Sequence, residues 1–195
     1  MDVLAQRYTT GQVLRASGAT NAALQTWIRR GFIVGQRADT QAEGAAAPSP
    51  VDMPGESGHR RTFSFYGVVQ VAVAKAIIDV SGKAERAFEA AIEFAHLGDE
   101  QRSPGVPFRD GRTWLLVAED DERLVNATCG ADPHMRASWS GGGRRDAVIA
   151  VDVNAIFDRV CAALDLHPAS PLRRFLDSAP PESKSGASTY IDREI

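Results

Sequence analysis

Residues 8–33 read YTTGQVLRASGATNAALQTWIRRGFI, two short amphipathic runs on either side of a glycine. Thr10 is placed to cap a first helix ending near Ser17, and Gly18 breaks it. Thr20 or Asn21 caps a second helix that runs to Arg30, where Gly31 stops it as a C′ glycine. Val13, Leu14 and Ser17 fall on one face of the first helix. Leu24, Trp27 and Ile28 fall on one face of the second at i, i+3, i+4 spacing, which marks them as core. Phe32 and Ile33 continue as an apolar, strand-like exit. The opposite face of the second helix carries Asn21, Ala22, Gln25, Thr26, Arg29 and Arg30. Two helices joined by a three- to four-residue glycine turn form the helix-turn-helix pattern. In that pattern the second helix enters the DNA major groove, its polar face meets base edges and flanking arginines hold phosphates. An ordinary amphipathic surface helix carries the same pattern, so this segment does not separate the two by itself.

Working outward, residues 38–57 (ADTQAEGAAAPSPVDMPGES) are rich in Ala, Pro and Gly, acidic and aperiodic, and read as a flexible loop. Gly58, His59, Arg60, Arg61, Thr62 and Phe63 follow, and Ser64 caps a third helix from about Phe65 to Val80. Gly82 ends it, and a fourth, connecting helix occupies about 84–97 within residues 81–97. Gly98, Pro104, Gly105 and Pro107 mark residues 98–109 as a linker. Residues 110–177 then change to a β pattern. Strands are expected at residues 114–117, 124–128, 136–140 and 147–151, with a helix capped by Asp152 and running to about Leu164. A short helix at 171–176 and a flexible tail at 178–195 complete the reading.

The chain has 195 residues, of which 44% are hydrophobic and 24% charged, so it can bury a core without staples. Its net charge of −3 argues, as an average, against a protein that coats nucleic acid. The distribution says otherwise. Residues 1–37 hold five arginines against Asp2, a balance of +4, whereas residues 38–57 hold four acids and no base. A basic head on an acidic chain is the asymmetry expected of local nucleic-acid contact. No apolar run approaches the roughly 18–20 residues of a membrane span. The N-terminal residues lack an apolar core, so no signal peptide is expected. Cys129 and Cys161 cannot build a disulfide framework and read as reduced thiols of a cytoplasmic, nucleoid-associated protein.

Residues 8–33 resemble, without a gap, the winged helix-turn-helix of the MerR superfamily. The likeness rests on Gly18, Ala19, Thr20, Trp27, Gly31, Phe32 and Ile33, and on the wing ending Gly58, His59, Arg60, Arg61, Phe63 and Ser64. The Gly-His-Arg-Arg form is most similar to the small excisionase-like and BldC-like members, and the resemblance covers residues 8–80. It implies double-stranded DNA as the partner. Asn21, Ala22, Gln25 and Thr26 would face bases, with Arg29 at the edge and Thr20 among the DNA-binding residues. Arg15, Arg30, Arg37, His59, Arg60 and Arg61 would face phosphates or the minor groove. The sequence departs from the family in three places. The wing carries the acidic insertion 38–57, expected to swing away from DNA or to act as a brake, because neutralising phosphates is what drives affinity. Gln25 and Thr26 stand where the family usually has Arg and an aromatic, which weakens one phosphate clamp. The helix at 84–97 is too short for the family's antiparallel coiled coil, so a homodimer would need another surface.

The C-terminal part reads as a small α+β module that senses a ligand, dimerises or recruits a partner such as RNA polymerase or another regulator. Cys129, Asp132 and His134 lack the spacing of a closed zinc site, and SWSGGGRR at 138–145 lacks the Lys-Ser/Thr of a P-loop. No catalytic triad, metal or cofactor is expected. The fold expected is a mainly α N-terminal winged helix-turn-helix plus a small α+β C-terminal module. The function expected is a sequence-specific DNA-binding transcriptional regulator. The alternatives are a phage or mobile-element architectural protein (excisionase-like or a packaging subunit), or a protein-interaction module whose helix-turn-helix no longer binds DNA.

Overall fold

Short-range capping sets the first two helices. The computed structural model describes residues 6–33, 51–52, 61–98, 102–118, 122–127 and 147–168. Strand β1 (Tyr8–Thr9) leads directly into helix α1 (Thr10–Ser17). The cap is Thr9 rather than Thr10. The Gln12 N–H donates to the Thr9 hydroxyl, while the Gln12 side-chain oxygen accepts from the Thr9 N–H at 2.8 Å. This reciprocal box needs a Gln three residues after the cap, which places it at Thr9. Gly18 closes α1 at φ 70°, a conformation that side chains resist. Helix α2 (Asn21–Arg29) is capped by Thr20, whose hydroxyl accepts from the Ala23 N–H at 3.2 Å.

At the end of α2 the Gly31 N–H bonds the Ile28 carbonyl and the Phe32 N–H bonds the Trp27 carbonyl. This is a Schellman reversal, and it corrects the expected strand-like exit. Ile33 is buried, and Phe32 stacks on Phe88 at 5.8 Å.

Strand β2 (Val51–Asp52) and strand β3 (Thr62–Phe63) join β1 in an antiparallel sheet of order β1-β3-β2, with Tyr8 and Val51 both opposite Phe63. Val51–Asp52 lies inside the stretch expected to be loop. Two residues are too few to show an alternating pattern, so only pairing with β3 reveals them as strand.

Helix α3 (Phe65–Ser81), capped by Ser64, is the centre of the molecule. It is apolar on nearly every side, and Phe65, Val68, Val69, Val71, Ala72, Val73 and Ala74 are fully buried. A helix of that kind must be covered all round. Helix α4 (Ala84–Ala95) lies against it, burying Ala87, Phe88, Ala91 and Phe94. Its end is two residues short of the expected 97.

Residues 102–108, expected to be linker, wrap the end of α4 instead. Arg102 is 2% exposed and Val106 is 1% exposed. The Arg102 guanidinium donates to the carbonyls of Glu93, Phe94, Leu97, Ser103 and Val106. The Gly105 N–H also bonds the Phe94 carbonyl, at 2.8 Å. Helices end with unpaired carbonyls, and these donors satisfy them.

Strand β4 (Arg112–Val117) is the middle of a second antiparallel sheet, flanked by strand β5 (Glu122–Ala127) and strand β6 (Ile149–Asp152). Asp152 caps helix α5 (Val153–Ala163), accepting from the Ala155 N–H at 3.1 Å. Val153, Ile156, Phe157, Val160 and Cys161 are buried, and α5 packs on both α1 and α3. Phe157 meets Phe65 edge-on at 6.1 Å. One hydrophobic core therefore runs from Tyr8 to Leu164. The expected strand at 136–140, the helix at 171–176 and the tail lie outside the described residues. Among the described residues there are five helices and two small antiparallel sheets, a mainly α fold with a small β component. None of these helices is long and apolar enough to cross a membrane.

Candidate nucleic-acid interface

Helix α2 separates its residues cleanly. Leu24, Trp27 and Ile28 are buried, and Trp27 sits edge-on to Phe88 with ring centroids 5.2 Å apart. That contact fixes the helix to α4 and makes Trp27 a core residue. The outward face presents Asn21, Ala22, Gln25, Thr26 and Arg29, spaced so that they share one side of the helix, with Arg30 beside them. Thr20, Asn21, Ala22, Arg29 and Arg30 are exposed, whereas Gln25 and Thr26 are half-buried.

The half-burial has a cause. Arg61, immediately before β3, donates through Nη1 to Gln25 Oε1 at 3.0 Å. Gln25 Nε2 in turn points to Asn21 Oδ1 at 3.4 Å. Arg61 and two residues of α2 thus form one polar chain, and the amide of Gln25 has a set orientation. The Thr26 hydroxyl donates to the Ala22 carbonyl at 2.9 Å and accepts a long 3.5 Å contact from Arg29. Its proton is committed to the helix backbone, so Thr26 can offer an outside partner only its lone pairs and methyl group.

Arg61, Arg29 and Arg30 are the cations on this surface among the described residues, and no acidic side chain belongs to α2 or β3. Arg37, His59 and Arg60 lie outside the described residues. Arg15 is not part of the polar chain. It is exposed at the end of α1, and its Nε donates to the Ala163 carbonyl of α5 at 3.2 Å. The sequence presents Gln25 and Arg61 as separate contributors, because they stand 36 residues apart and no local pattern links them.

The remaining titratable groups offer little chemistry. Tyr8 and Cys161 are buried near one another, and both are pushed up to about 12, chiefly by burial. His96 bonds the Gln70 amide oxygen at 3.2 Å, and burial lowers it to about 4, so it is neutral at physiological pH. Burial alone would raise Asp152. Its bond to Arg112, the N–H of Ala155 and the Arg112 charge outweigh that and hold the carboxyl below its ordinary value. Among the described residues no group of three His, Cys, Asp or Glu side chains could hold a metal ion. Cys129, Asp132, His134 and the glycine-arginine stretch at 138–145 lie outside the described residues. In comparisons with known proteins, the chain matches no family model and no curated relative.

Proposed function

We propose that the N-terminal half is a winged helix-turn-helix and that the chain is a sequence-specific DNA-binding transcriptional regulator. In this reading α2 lies in the major groove, with Asn21, Ala22 and Gln25 towards base edges and Arg29 at the rim. Arg30 and Arg61, with Arg37, His59 and Arg60, meet phosphates or the minor groove. The observation that carries the reading is the bond from Arg61 to Gln25. It joins α2 to the residue entering β3 through arginine and side-chain amide groups, with no acidic side chain on α2 or β3 themselves. Amides suit adenine and guanidinium groups suit guanine or phosphate.

Fluorescence anisotropy with duplexes selected from a random pool supplies the test. Arg61→Ala should weaken binding across sequences and lower the salt slope by about one. Gln25→Ala should change which sequences are selected. Wild-type protein that selects no sequence and binds duplex no better than an acidic control protein would refute the proposal. The second copy needed for paired half-sites would have to use a surface other than a coiled coil, since α4 spans only twelve residues.

A further inference from the structure

Away from the α2 face, α1, α3 and α5 enclose an open cleft of about 490 Å³ beside the Gly18 turn. Its charged lining comes from all three helices: Arg15 from α1, Lys75 and Asp79 from α3, and Arg159 from α5. Lys75 and Asp79 neutralise each other, with Nζ 2.5 Å from both carboxylate oxygens. Arg15 spends its Nε on the Ala163 carbonyl, which anchors the guanidinium and leaves its terminal nitrogens without a described partner. Arg159 is exposed and has no partner among the described residues. Among the described residues neither guanidinium forms an ion pair with a carboxylate, and Asp79, which lines the same cleft, is paired with Lys75. A Cβ on Gly18 would meet nothing within 4 Å, so that side of the cleft is open.

Cations near helix ends often serve only to offset the helix dipole. That accounts for Arg15, in the last turn of α1 and bonded to the final carbonyl of α5. It does not account for Arg159, which precedes the last turn of its helix. Two arginines and a lysine lining a cavity of this size match a doubly charged, oxygen-rich anion with room for an attached body.

We propose that this cleft binds a phosphate group, held between Arg15 and Arg159 with Lys75 behind them. The group is either the phosphomonoester of a small ligand or a phosphate of the DNA backbone. The site stands independently of the proposed function, since it is argued from the cleft alone. Its occupant would bridge α5 to the turn that leads into α2, which gives the C-terminal helix a means of adjusting α2.

The test titrates the full-length chain with inorganic phosphate at constant ionic strength, read by calorimetry and by NMR shifts at Gly18, Lys75 and Arg159. Saturable binding is expected, weakened at least fivefold by Arg159→Gln and by Arg15→Gln. Arg159→Gln removes no described contact and serves as the variant that keeps the fold. Circular dichroism and the urea midpoint verify this. Repeating the titration with a saturating duplex separates the sources. Phosphate displaced in step with duplex binding assigns the site to the DNA backbone. Phosphate bound alongside duplex assigns it to a small ligand. Absence of saturable phosphate binding would overturn the proposal, and so would binding unchanged in the folded Arg15→Gln, Arg159→Gln double variant. Neither result would touch the α2 reading, which depends on sequence selection.

Discussion

Replacing Arg102 by Met should destabilise the protein far more than a substitution in a linker would. The side chain is 2% exposed, and its Nη1 donates to the carbonyls of Phe94 at 2.9 Å and Ser103 at 3.1 Å, while Nη2 donates to that of Glu93 at 3.1 Å. Methionine keeps the length and apolar stem and removes every donor. Phe94 retains the Gly105 N–H, so its carbonyl is not orphaned. Ser103 likewise retains the Val106 N–H, so the loss falls on the carbonyls of Glu93 and Leu97, which give up this donor in a partly buried setting. Each buried acceptor left unpaired costs about 1–3 kcal/mol, towards the low end where water can reach it. Removing a buried charge returns part of that loss, so the net expected is about 2–4 kcal/mol. Arg102→Lys should fall between, at about 1–2 kcal/mol, because a compact ammonium cannot span acceptors set out for a planar fork. Urea unfolding at pH 7 followed by circular dichroism measures both variants, and an unchanged m-value shows that the same transition is compared. Amide exchange at Gly105 should quicken in the Met variant, since its acceptor belongs to the end of α4. A Met variant within about 0.5 kcal/mol of wild type, well under the cost of one buried orphan, would refute the argument. Residues 102–108 would then not be holding α4.

Two further outcomes follow from the C-terminal half. Asp152→Ala removes both the α5 cap and the Arg112 partner and should cost about 1–2 kcal/mol at pH 7, whereas Asp152→Asn retains the cap acceptor and should cost less. Because the folded carboxyl titrates below its ordinary value, its contribution is complete above the unfolded pKa near 4 and disappears as pH falls through the folded one. The gap between the urea midpoints of wild type and Asp152→Ala should therefore narrow as pH falls below about 4, and a gap that stays constant would exclude the ion-pair share. In a Cys129→Ser background, the buried Cys161 thiol, pushed up to about 12, should not react with a disulfide reagent at pH 8 until urea is added. Prompt reaction in the native state would contradict the packing of α5 on α1 and α3.

The helices were readable because their determinants are local. Thr20 and the Ala23 N–H, Ser64 and the Gly67 N–H, and Asp152 and the Ala155 N–H are each three residues apart. The glycines at 18, 31 and 82 all take φ near 70°, as stops must. The buried stripe Leu24, Trp27, Ile28 follows from helical spacing alone. The cap falls at Thr9 and not Thr10 because Gln12, three residues after Thr9, completes the reciprocal box. The outward face of α2 was legible in the same way, as whatever the core stripe leaves over.

The amino-acid sequence by itself therefore determined where the helices lie, which faces they bury and which residues of α2 face outward. These depend on contacts within one turn of a helix. Tertiary structure decided the rest, because the partners are far apart along the chain. Val51–Asp52 is a strand only because β3 lies beside it, and the Gly-Pro stretch after α4 is a wrap only because Arg102 reaches the carbonyls at that helix end. Gln25 meets Arg61 across 36 residues, and Arg15 meets Ala163 across 148. No periodicity records such pairs. They exist because the apolar faces of α1, α3, α4 and α5 share one core, and burying those faces brings distant polar groups within bonding distance.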